Sequence, residues 1–229
     1  RQANRVCVYG QLLLLDLIEK LEPHCEIIQS NTDGVLVRLR DYNDYDIIDD
    51  VAHEWEQRTR LTLEFEEFTR VYQGDVNNYV IVAADGSYTS KGSYVKKLHD
   101  LDYDLPIVNR AIVDYLVKGV PVSRTVEAAE NLRDFQMVAR ASQKFVNMLH
   151  GEKVLDERCV RIFASSDVND PQFFKTHTNG SVFKVSNCPN HAFSFNDDVT
   201  GAKVPAKLDR QWYVDLAKAR LKAKFGLIV

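Results

Sequence analysis

Apolar positions along the first sixty residues recur with a helical period, then with a two-residue period, then helically again. Leu12, Leu13, Leu15, Leu17, Ile18 and Leu21 predict a helix over Gly10 to Leu21, buried on most of its circumference and stopped by Pro23. Two apolar, β-branched segments, Cys25–Ser30 and Gly34–Arg40, then flank the tip Asn31-Thr32-Asp33-Gly34. This pattern predicts a hairpin, with Gly34 expected to supply the backbone freedom of a tight turn. Ile47, Ile48, Val51, Ala52 and Trp55 give a second helix, from about Tyr45 to Thr59, one apolar face.

Beyond it, Leu61, Leu63 and Phe65 alternate with Thr62, Glu64 and Glu66 and predict a strand from Leu61 to Gln73. A further strand is expected over Asn78 to Ala84. Asp85-Gly86 reads as a hairpin turn leading to a strand near Tyr88–Tyr94. The pattern changes after Leu105. Pro106–Lys118, about Val126–Met148, and Asp209–Phe225 read as helices, while Arg161–Ala164 and Ser181–Val185 are short strand candidates. The expected class is α+β: an antiparallel sheet with helices on one face in residues 1–104, followed by a mainly helical region in residues 105–229, with a boundary near 100 to 105.

Composition places the chain among globular proteins: 229 residues, 45% apolar and 27% charged. Cys7, Cys25, Cys159 and Cys188 lack the dense spacing of a secreted disulfide scaffold, which favours a reducing compartment. No apolar run reaches the length of a membrane span, and no signal peptide is visible. A start at Arg1, without Met, suggests a piece of a longer protein. The net charge of −4 hides an asymmetry. Asp41 to Glu67 holds ten acidic and two basic residues, a net of −8, whereas Lys203 to Lys224 holds seven basic and two acidic, a net of +5. A positive groove matters more for nucleic acid than a positive total, although each stretch also reads as a solvated helix face.

The hairpin with its Asn31-Thr32-Asp33-Gly34 tip resembles motif C of the family B DNA polymerases, usually Tyr-Gly-Asp-Thr-Asp-Ser between two strands. Further matches follow in order over roughly residues 8 to 97. Leu61–Phe68 sits where that family has a Glu-rich strand, and Asn77-Asn78-Tyr79 where it has Lys-Lys-x-Tyr, with Tyr79 matching the tyrosine. Asp85-Gly86 makes the turn, and Lys91-Gly92 matches the Lys-Gly step behind it. Trp212-Tyr213 is similar to the aromatic pair opening the last thumb helix. The chain departs from the family in having Asn31 for the first motif C aspartate, Gly34 for its serine, and no paired lysines before Tyr79. Motifs A and B are absent.

The resemblance implies the second half of a phage-type polymerase palm in residues 1–104 and a thumb-like region in residues 105–229. It implies DNA-directed nucleotidyl transfer in a longer parent protein, in a bacterial cytoplasm if phage-encoded, and inactivity of this piece alone. Asp33 would be a catalytic residue and one ligand of a two-Mg²⁺ site completed from outside this chain. Such ions activate the primer hydroxyl and neutralise the triphosphate. The partners implied are primer–template DNA and dNTP, with no membrane. Thr32, Asn78, Tyr79, Lys91, Gly92, Lys96 and Lys97 would contact DNA, whose phosphates carry no sequence information. Taken by itself, Asp33 is also an ordinary turn residue, and Tyr79 with Lys91 an ordinary cross-strand pair.

Two other readings stand beside this one. A non-catalytic α+β nucleic-acid-binding or assembly module would keep the topology and a degenerate metal site. An unrelated hydrolase would combine Asp33 with an acid from the Asp41–Glu67 stretch. Cys188-Pro-Asn-His191 has one metal-like spacing, with Cys159 and His177 as conceivable partners, although a zinc site normally shows two tight pairs.

Overall fold

The computed structural model describes residues 2–99 and 102–229, and the chain divides into two compact units, Arg1–Glu66 and Glu67–Val229. Helices and antiparallel sheets are mixed throughout, so the α+β class holds. The expected boundary near 100 to 105 includes residues 100 and 101, which lie outside the described residues.

In the first unit, α1 (Gln2–Leu21) leads into the hairpin β1 (Cys25–Ser30) and β2 (Val35–Leu39), and α2 (Asp44–Thr59) follows. Ile48, Ala52 and Trp55 recur at helical spacing and are buried on one face of α2. Ile48 and Trp55 pack with Leu17 and Leu21 of α1 and Cys25 of β1. The Trp55 indole N–H donates to the Leu13 carbonyl at 3.1 Å, so the ring is anchored at both its apolar and polar ends. Arg58–Asp16 and Lys20–Glu54 ion pairs also join the two helices. Part of α1 stays uncovered: Val6 is 72% exposed and Tyr9 65%, with Val8, Leu12 and Leu15 also exposed.

The second unit opens with a meander of β3 (Phe68–Asp75), β4 (Asn78–Ala83) and β5 (Tyr88–Lys91). It continues with α3 (Pro106–Lys118), α4 (Val122–Ala128) and a 3₁₀ turn at Leu132–Phe135. The strands β6 (Met137–Arg140), β7 (Phe145–His150), β8 (Lys153–Leu155), β9 (Cys159–Ala164), β10 (Phe173–His177), β11 (Val182–Lys184) and β12 (Ala192–Ser194) come next, and α5 (Arg210–Phe225) closes the unit. They form one sheet in the order β12-β9-β6 and another in the order β11-β10-β7-β8. Ile107, Val108, Ala111, Ile112 and Leu116 of α3 are all fully buried, which places this helix at the centre of the core. Arg70 of β3 donates to the Val117 carbonyl at 2.7 Å. Tyr213 of α5 is buried edge-on against Phe135, and its hydroxyl accepts from the Ala164 N–H at 3.1 Å. Burial raises the Tyr213 pKa.

Three expectations from the pattern change. The alternation over Leu61–Glu67 does not make a strand, since β3 begins at Phe68. Arg60 ends α2 in a left-handed conformation, and the Leu63 N–H is taken by the Glu56 carboxylate at 2.6 Å instead of by a neighbouring strand. The helix expected over Val126–Met148 is replaced by the end of α4, the 3₁₀ turn and two strands. Asn131 starts that turn by accepting from the Arg133 N–H, and Met137 and Ala139 then alternate inward on β6. Residues 105–229 are accordingly not mainly helical, because seven strands accompany three helices among the described residues.

Candidate functional site

Local hydrogen bonding explains the shape of the hairpin tip. Strand register runs from Cys25 opposite Leu39 to Ser30 opposite Val35, with an irregularity between Ile27 and Gln29. At the tip the Asn31 N–H donates to the Gly34 carbonyl at 3.0 Å. The Asn31 side-chain oxygen accepts from the Asp33 N–H at 3.0 Å and the Gly34 N–H at 2.7 Å. Asn31 therefore closes the turn with its own amide. Gly34 has no positive φ, and a Cβ there would make only ordinary contact, 3.5 Å from Asn31 Oδ1. The freedom expected of Gly34 is not what the turn uses.

This closure decides what the tip can offer an ion. Asp33 is exposed, and its carboxylate accepts one long bond, 3.4 Å, from the Thr32 hydroxyl. Asn31 Oδ1 is committed to two backbone donors. Among the described residues no three His, Cys, Asp or Glu side chains gather as metal ligands. Mg²⁺ prefers an octahedral oxygen set, and a two-ion site needs several anionic ligands. The described residues do not fit such a site by themselves: they supply one carboxylate on a stiff strand pair.

The remaining candidates lie in the second unit. Tyr79 of β4 pairs directly with Lys91 of β5, and Gln73 of β3 pairs with Tyr79 on its other side. Val80 and Val82 are buried, so alternation turns Tyr79 and Lys91 to the outward face, where Lys91 is exposed. Gly92 adopts φ +124°, and a Cβ there would lie 2.6 Å from Asn78 Oδ1 and 3.1 Å from the Asn77 carbonyl. Close approach therefore dictates glycine in the Lys91-Gly92 step. Asn78 itself donates to both Asp75 carboxylate oxygens at 2.8 Å, and so builds the turn between β3 and β4. Lys96 is ion-paired with Asp102, and Lys97 sits 5.3 Å above the Tyr88 ring. Lys91 has no ion-pair partner among the described residues and is the most available cation of the set.

The basic C-terminal stretch is largely occupied. Lys207 pairs with Asp170 at 3.0 Å, and Lys224 approaches Asp75 at 3.9 Å. Arg210 donates to the Val126 and Ala129 carbonyls, and Arg220 lies 4.3 Å over Tyr94. Around the Cys188–His191 spacing no group of three potential metal ligands gathers among the described residues. Cys188 is buried, and desolvation pushes its thiol up to about 11. His191 lies 3.2 Å from the Asp170 carbonyl.

Phe145, Phe183, Lys175 and Arg140 carry no expectation from the sequence, and His177 only that of a conceivable zinc partner, yet the five surround one end of the β10 sheet. The nearness of aromatic and basic residues in Phe173–His177 and Val182–Lys184 was the signal available. No family model and no curated protein matches this chain.

Proposed function

We propose that this chain is the C-terminal palm and thumb portion of a family B-like DNA polymerase of phage type, with Asp33 as one metal ligand. The observation that carries the reading is the Asn31-closed tip, which holds the backbone of Asp33 rigidly and leaves its carboxylate outward. A ligand on a stiff strand pair fixes ion position better than one on a mobile loop. When bound, two Mg²⁺ ions would supply Lewis-acid activation of the primer hydroxyl and charge neutralisation at the dNTP phosphates. The residues of this chain would contribute the Asp33 carboxylate and a neutral turn. The other carboxylates would come from outside it, so this piece alone would not polymerise. Exposed Val6, Val8, Tyr9, Leu12 and Leu15 on α1 fit burial against the missing part of such a palm.

Tyr79 and Lys91 would lie along primer–template DNA, with Lys91 meeting a phosphate. Asn78 and Gly92 would support that strand pair through the turn they build, and Thr32 would brace Asp33. The lone carboxylate favours a second reading, a nucleic-acid-binding module that has lost metal chemistry.

Primer extension by the intact parent protein separates the two. Asp33→Ala is expected to lower extension by at least about a hundredfold, the scale of a lost metal ligand in phosphoryl transfer. Undiminished extension, or a wild-type parent that does not extend primers, would overturn the polymerase reading.

A further inference from the structure

Within Glu67–Val229, a cleft of about 160 Å³ opens beside β6, β10 and α5, lined among others by Arg140, Lys175, Arg220 and Asp104. It exceeds by several-fold the roughly 30 Å³ that a water occupies in the liquid, which is room for a phosphate group. The cations converge in a specific way. Lys175 Nζ donates to the Arg140 carbonyl at 2.9 Å, and Arg220 stacks on Tyr94. Among the described residues none of the three makes an ion pair with a carboxylate. Asp104 is the sole acid of the lining, and its carboxylate accepts from the Val138 N–H at 3.0 Å. Burial lowers the pKa of Lys175 and, against the opposing pull of Tyr94 and Asp104, that of Arg220. Partly desolvated cations that make no direct ion pair are costly, and an oxyanion in the cleft would relieve that cost beyond what Asp104 does at a distance.

A second observation lies at the rim. Lys175 pairs across strands with Phe183, and His177 with Phe145, so all four side chains share one face of the sheet. Phe145, His177 and Phe183 meet edge-to-face at 5.6–6.3 Å. Deeper along that face Phe173 and Met148 are fully buried, whereas Phe183 at the edge is 51% exposed. The Lys175 and Lys144 ammonium groups each lie 5.7 Å from the Phe145 ring. Aromatic faces beside backbone-binding cations are the combination that holds single nucleic-acid strands, because every base offers a π-face and every linkage a phosphate.

We propose that this cleft binds a single nucleic-acid strand, with a phosphate among Arg140, Lys175 and Arg220 and an adjacent base stacked on Phe183. The site is separate from Asp33 and does not depend on metal chemistry there.

The test is fluorescence anisotropy of the 229-residue chain with a labelled oligo-dT of about 12 nucleotides, and with an abasic strand of equal length. The wild-type chain is expected to bind both, oligo-dT more tightly. Phe183→Ala, on an exposed edge strand, is expected to weaken oligo-dT by about tenfold and leave the abasic strand unchanged. Arg140→Ala, also exposed, is expected to weaken both and lower the salt slope by about one. Asp33→Ala is expected to change neither, so failure here and failure of the polymerase reading are separately visible. Absence of wild-type binding, no effect of Phe183→Ala, or equal losses on the two strands would overturn the proposal.

Discussion

Gly92→Ala tests whether the Lys91-Gly92 step is imposed by geometry. Glycine there has φ +124°, a conformation that costs an L-residue about 1–3 kcal/mol. The new methyl would also stand 2.6 Å from Asn78 Oδ1 and 3.1 Å from the Asn77 carbonyl. Asn78 would have to swing away, giving up hydrogen bonds to Asp75 worth about 0.5–1.5 kcal/mol each. The sum is a loss of roughly 2–6 kcal/mol, and at about 2–4 °C per kcal/mol for a chain of this size, Tm falls by about 4–24 °C. Because the chain has two compact units, the change should be localised by hydrogen-exchange mass spectrometry. Peptides spanning residues 78–92 are expected to lose protection, while those from α2 keep theirs. Unchanged protection across 78–92, with Tm within about 1 °C of wild type, would refute the reasoning.

Two further outcomes follow from the turns. Asn31→Ala orphans the Asp33 and Gly34 N–H groups and should loosen the tip, lowering primer extension by the parent protein about tenfold, whereas Asn31→Asp accepts the same bonds and should preserve it; equal activity of both variants would contradict the role given to Asn31. Hydrogen bonds from the Asn78 side chain and then the Asn77 N–H hold the exposed Asp75 carboxyl below its ordinary value of about 3.9. With the folded pKa depressed, this contribution to stability is present above the ordinary value and lost as pH falls through the folded one. In Asn78→Ala the Asp75 midpoint, followed by NMR, is expected to move up; an unmoved midpoint would contradict the assignment.

Much of the fold was legible because some elements carry both a period and a stop signal. Pro106 and Gly119 bracket α3, and Asp209 and Gly226 bracket α5, with Asp209 accepting from the Trp212 N–H. Strand pairing was less legible. Leu61, Leu63 and Phe65 alternate as a strand would, yet Leu61 and Phe65 stay exposed with no face to bury, and Glu56 captures the Leu63 N–H. The run at 126–148 is apolar enough for a helix, but Asn131 offers the backbone a local alternative.

The site divides the same way. Asp33 at a hairpin tip could be read from composition and spacing, as could the Tyr79–Lys91 pair. That Asn31 spends its oxygen on the turn, and that Asp102 ties up Lys96, depends on side-chain directions the pattern does not carry. The cleft joins residues 140, 175 and 220, brought together only by tertiary packing.

The most direct measurement of the central claim is a metal switch at Asp33. A thiolate prefers softer ions than a carboxylate does, so Asp33→Cys in the intact parent protein should lose primer extension in Mg²⁺ and regain part of it in Mn²⁺ or Cd²⁺. Extension by Asp33→Cys at the wild-type level in Mg²⁺, or the same loss in every metal, would contradict a metal-bound Asp33.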